Sequence, residues 1–128
     1  MRALFCLAFV VTLIPHTAMA QKICIDPGHG GGDSGAAACG LLEKDINLDT
    51  SLRLRSLLQG AGYTVIMTRD TDVFIELIDR SAYANAQGAD RFTSIHANAF
   101  DGTVSGIETF AHTSAGSTSL DLRDKIQE

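Results

Sequence analysis

Short β-like runs and longer stretches of helical spacing alternate along this chain. Lys22–Asp26 reads as a strand that delivers a glycine-rich loop at its carboxyl end. From Asp45 to Gly60, Leu48, Leu52 and Leu58 recur near the helical repeat, with Arg53, Arg55 and Gln59 interleaved, which predicts a helix. Gly60 and Gly62 end it. Tyr63–Thr68 is apolar and β-branched, the pattern of a buried strand. Phe74–Gln87 predicts a second helix, with Thr71 or Asp72 as its cap. Arg91–His96 and Gly106–His112 read as further strands, and Ser117 or Ser119 opens a third helix. This order predicts an α/β domain, a largely parallel sheet with helices on both faces. In such sheets functional sites gather beyond the carboxyl ends of the strands.

The first twenty residues follow a different logic. Arg2 gives a positive start, Leu4–Ile14 is apolar, and Pro15 breaks the run before Ala18-Met19-Ala20. This is the layout of a secretory signal peptide over residues 1–20, cleaved after a small-x-small site. The apolar run falls short of the roughly 20 residues that span a bilayer. Cys6 lies near the start of that run rather than after it, which argues against a lipid anchor. The expected mature domain is 21–128, exported to the periplasm or the cell wall, with no membrane span after cleavage.

Charge narrows the partners. The net charge is −5, with acids spread along the chain and no basic cluster to neutralise phosphates, so nucleic acid is not an expected partner. The chain has no Trp to stack on bases. Cys24 and Cys39 both lie in the expected mature domain, where an oxidising compartment permits a bridge. Cys24 on a central strand equally suits a small buried thiol, so the two readings stay open.

The chemistry concentrates in two segments. Asp26-Pro27-Gly28-His29-Gly30-Gly31-Gly32-Asp33-Ser34-Gly35 follows the first strand, and Ser94-Ile95-His96-Ala97-Asn98 ends the third. Between them stands Glu43. Two histidines and a carboxylate are the three-ligand set of a catalytic zinc, with a fourth position for water. Asp26 or Asp33 is expected to orient a ligand histidine through its second ring nitrogen. Arg69 and Arg80 are expected to pair with neighbouring acids such as Asp70, Asp72 or Asp79, and His112 to be surface-exposed or packed. Gly30-x-Gly32-x-x-Gly35 also matches a dinucleotide-binding fingerprint. That fingerprint should open directly into a helix, whereas Cys39-Gly40 interrupts any helix beginning at Ala36.

Four motifs in order, DPGHGG-x-D-x-G, E-K-D-x-N-L, T-R-D-T-D and S-I-H-A-N, resemble the zinc-dependent N-acetylmuramoyl-L-alanine amidases of the amidase type 3 class. The resemblance runs from Lys22 to the C-terminus. It assigns zinc ligation to His29, Glu43 and His96, and implies hydrolysis of the amide between N-acetylmuramic acid and L-alanine in peptidoglycan by a zinc-activated water. It implies a substrate or supporting role for residues near the ligands, here Asp26, Asp33 and Asn98, and leaves open a regulatory protein partner. The class carries a catalytic Glu on a strand beyond the segment matching Gly106–His112, past the end of this chain. Glu108 is the substitute nominated here. The alternative is a zinc-containing module that binds the wall without efficient turnover.

Overall fold

The computed structural model describes residues 20–97 and 106–127; the leader expected over residues 1–20 lies outside them except for Ala20, and Asn98 also lies outside them. The chain divides into two compact units after His96. In the first, β1 (Lys22–Pro27), the short β2 (Ala37–Ala38) and β3 (Leu41–Leu42), α1 (Glu43–Gly60), β4 (Thr64–Met67), α2 (Leu77–Ala86) and β5 (Arg91–Ile95) follow in order. Three parallel strands form one sheet in the order β4-β1-β5. Cys24 pairs with Ile66 on one side and Phe92 on the other. The architecture is α/β, as the alternation of elements implies.

The core is centred on β1. Successive residues of a strand face opposite sides, and Cys24 and Ile25 are both 0% exposed, so both faces of the central strand are covered. The α1 helix lies against all three strands. Its deepest residues are Glu43, Asn47 and Ser51, whereas Leu48, Leu52 and Leu58 are only half-buried. Helical spacing is thus present twice on α1, and the polar repeat at i, i+4, i+8 occupies the inner position.

Several boundaries differ from expectation. The α1 helix begins at Glu43, so Glu43 and Asp45 both sit in its first turn, where the helix dipole favours acids. The α2 helix begins at Leu77, after a Glu76 cap that makes no side-chain bond, and not at a Thr71 or Asp72 cap. Asp72 is engaged elsewhere: its oxygens accept from the Gly31 N–H at 2.7 Å and from Lys44 Nζ at 2.6 Å. Residues 36–42 form a small antiparallel hairpin, with Ala37 opposite Leu42 and Ala38 opposite Leu41. Its two turn residues, Cys39 and Gly40, have φ of 53° and 78°, the positive pair that a tight two-residue hairpin requires. A hairpin, not a helix, therefore follows the glycine loop, which removes the dinucleotide-fingerprint reading.

Cys24 and Cys39 are free thiols, one buried in β1 and the other exposed at the hairpin turn, so the bridge considered between them is not formed. Burial, with a smaller contribution from the Asp26 charge, pushes the Cys24 thiol up to about 11.

In the second unit, α3 (Ser117–Gln127) starts at the first of the two expected serines. Gly106–His112 does not form the expected strand. The Gln127 side chain bonds its backbone, accepting from the Thr109 N–H at 2.9 Å and donating to the Ile107 carbonyl at 2.7 Å. Glu108 lies in this segment, and His112 is exposed, the first of the two placements open for it.

Candidate metal centre

Pro27 closes β1, and the Gly28 N–H donates to the Ile95 carbonyl at 2.9 Å, which ties the start of the glycine loop to the end of β5. The His96 ring lies over Gly28: a β-carbon there would come within 2.3 Å of its Cε1. His29 follows with φ of 61°, a left-handed conformation uncommon for a residue with a side chain. Gly30 and Asp33 exchange two backbone hydrogen bonds of 3.0 Å, and this tight turn returns Asp33 to its own histidine. Asp33 Oδ2 lies 2.8 Å from His29 Nδ1, while Oδ1 accepts from the Gly35 N–H at 3.0 Å. Those two bonds, the imidazole one first, hold the Asp33 carboxyl below its ordinary pKa. Gly35 has φ of 62°, and a β-carbon on it would lie 2.6 Å from the His29 ring and 2.8 Å from Glu43 Oε2. At both glycines the space of the missing side chain is filled by groups of the site.

Glu43 stands in the first turn of α1 and is buried at 7% exposure. Its Oε2 accepts from the Ala36 N–H at 2.9 Å. Its Oε1 lies 3.2 Å from His29 Nε2 and 3.0 Å from His96 Nδ1. Burial raises the carboxyl's pKa. The Ala36 N–H and the His96 and Asn47 side chains, with a smaller contribution from the His29 charge, outweigh that and hold it below the ordinary value. The two imidazoles meet edge to face with centroids 4.9 Å apart. One donor atom from each of His29, Glu43 and His96 lies within 4.8 Å of the others, a group able to hold a metal ion.

The donor chemistry fits a cation. Asp33 Oδ2 is placed to accept from an N–H at His29 Nδ1, and with that bond made the Nε2 lone pair faces the Glu43 carboxylate. Two acceptors at that separation are reconciled by a positive charge between them.

Asp26, the other acid considered for orienting a histidine, is occupied beneath the loop. It accepts from Thr68 Oγ1 and Ser94 Oγ at 2.6 Å each and from Arg80 Nη1 at 2.9 Å. Arg80 also donates to the carbonyls of Ile75, Pro27 and His29. Its partner is thus Asp26, 54 residues away, and not a neighbouring acid. Arg69 makes four bonds to the carbonyls of Pro27, Gly28, Thr71 and Lys44. Burial, then the nearby Arg80 charge, lowers its pKa. Lys44 Nζ reaches the Gly31 carbonyl at 2.9 Å. Two arginines and a lysine therefore fasten the glycine loop by its carbonyl oxygens, a role that sequence reasoning missed. It missed Asn47 too, although a polar residue four positions after Glu43 on a helix shares its face.

The family model for N-acetylmuramoyl-L-alanine amidase, amidase type 3, matches residues 23–128. The chain is 43% identical over 109 residues to the N-acetylmuramoyl-L-alanine amidase CwlM of Bacillus licheniformis, covering 84% of this chain and 42% of that protein. It is 45% identical over 114 residues to the endolysin of Bacillus phage SPP1, with the same two coverages of 84% and 42%. The crystal structure of N-acetylmuramoyl-L-alanine amidase from Clostridium difficile 630 superposes with a TM-score of 0.78 at 37% identity, over 84% of this chain and 61% of that one. The chain thus spans about two fifths of the length of the two named relatives. With the motif residues assembled on the expected sheet and the family model matched from β1 to the last residue, this chain belongs to the amidase type 3 family of N-acetylmuramoyl-L-alanine amidases.

Proposed function

We propose that this chain hydrolyses the amide between N-acetylmuramic acid and L-alanine in peptidoglycan, with zinc held by His29, Glu43 and His96. The observation that carries this reading is the convergence of donors from positions 29, 43 and 96 to within 4.8 Å of one another. Zinc held by such a set supplies Lewis-acid polarisation of the scissile carbonyl and acidifies water. Asp33 holds His29 in the tautomer with a free Nε2 and keeps the ring from turning. The Ala36 N–H holds Glu43 Oε2, which leaves Oε1 toward the histidines. The leaving amine must also receive a proton. Export through residues 1–20 belongs to the same proposal; among the described residues no helix is long and apolar enough to cross a membrane.

The test is release of stem peptides from purified wall sacculi, followed as newly exposed L-alanine amino groups. We expect release that a chelator abolishes and added zinc restores, and that His96→Ala lacks. Release indifferent to both chelator and His96→Ala would overturn the reading. Zinc and wall binding without release would favour the binding module.

A further inference from the structure

We infer that Asn47 is the positioning residue for the three donors, and that the fold retains it at some loss of stability. The inference rests on the metal reading above. Asn47 is 1% exposed, on the inner face of α1 one turn after Glu43. Its Nδ2 donates to the Gly28 carbonyl at 3.2 Å and, at a longer 3.4 Å, to Glu43 Oε1. Gly28 is the backbone point at which the other two donors meet. It immediately precedes His29, and the His96 ring covers its α-carbon, where a β-carbon would lie 2.3 Å from Cε1. One amide group thus touches one ligand directly and the junction that places the other two.

The second observation concerns the other end of the same side chain. Among the described residues, Asn47 Oδ1 is buried with no hydrogen-bond partner, and the same holds for Ser51 Oγ one turn further on. A buried acceptor without a donor weakens a fold, and replacing such a group by an apolar one of similar shape removes that penalty. Packing alone would therefore favour leucine at position 47. What leucine cannot supply is the pair of donated bonds, both of which end on the site. Among the described residues Ser51 shares the burial and the unpartnered oxygen, and its hydroxyl bonds none of the three donors, which makes it the natural control.

The experiment measures zinc affinity of the full chain by competition with a chromogenic chelator, alongside the melting temperature of the zinc-free protein. Asn47→Leu should bind zinc about 10–100-fold more weakly, with a zinc-free melting temperature equal to or above the parent's. Ser51→Ala should leave zinc affinity unchanged. Asn47→Ala, which only removes atoms, decides the matter if leucine disturbs folding, and should show the same loss of affinity. Folded Asn47 variants that bind zinc within twofold of the parent would overturn the inference. So would a Ser51→Ala loss as large as theirs, because it would assign the effect to packing. A parent chain that takes up no zinc would sink the metal reading itself, an outcome separable from either of these.

Discussion

The Asp26–Arg80 pair beneath the glycine loop and the Asp49–Arg53 pair on the outer face of α1 have nearly the same length, 2.9 and 2.8 Å. Their surroundings differ completely. The first pair's side chains are 3% and 5% exposed, the second pair's 64% and 76%. In water an ion pair exchanges one set of good partners for another and gains little. Beneath the loop no such exchange is available, so the two charges have to be matched in place. The loop region does so with Thr68, Ser94 and three backbone carbonyls around one aspartate and one arginine. Its order comes from completeness, and completeness makes it brittle.

The largest expected effect is therefore at Arg80. Arg80→Ala should cost about 3–5 kcal/mol by leaving the Asp26 carboxylate buried and unpaired, read as a lower midpoint in urea unfolding. A cost below about 1 kcal/mol would erase the contrast between the two regions. Next comes Gly35→Ala, which puts a β-carbon 2.6 Å from the His29 ring at a φ of 62°. We expect it to cost about 3 kcal/mol from left-handed strain and overpacking together, and to weaken zinc binding; intact zinc affinity would show that the ligands can give way.

A smaller effect tests the buried strand between them. The Cys24 thiol, held at about 11 against an ordinary 9.0, favours its protonated form in the native state. Above pH 9 the unfolded chain releases this proton first, so stability falls as pH rises from 9 through about 11. The loss should approach 2 kcal/mol, and Cys24→Ala should lack this part of the alkaline decline. Parallel alkaline curves for parent and variant would contradict it. In the same samples a thiol reagent at neutral pH should modify exposed Cys39 and spare Cys24. The smallest effect is on the outer face: Arg53→Ala should leave the urea midpoint unchanged within the error of the measurement, and a resolvable loss would mean that α1 depends on its surface charges.

How much was legible in the sequence follows the same division. The motif residues around His29, Glu43 and His96 could be read because their residue types carry their chemistry openly. The strands at Lys22, Thr64 and Arg91 and the helices between them follow from local periodicity. The polar web beneath the loop was not legible. Arg80 finds Asp26 across 54 residues, and nothing near either one in sequence points to the other. Asn47 and Ser51 did leave a signal, the helical repeat from Glu43, but the leucines between them outweighed it. Asp72 resembled a helix cap until the Gly31 N–H and Lys44 were seen to hold it. The segment 106–112 has strand-like composition, yet a strand needs a partner, and the side chain of Gln127 takes the place of one.

The donors at positions 29, 43 and 96 stand on a loop after β1, the first turn of α1 and the end of β5. No short stretch of the chain contains all three, and the set is complete only once the third parallel strand has joined the sheet. A metal ion therefore has no foothold of full strength on the nascent chain. Any ion that these three donors take up therefore arrives after the sheet has closed, and capture of the ion reports on the folded state rather than on the sequence.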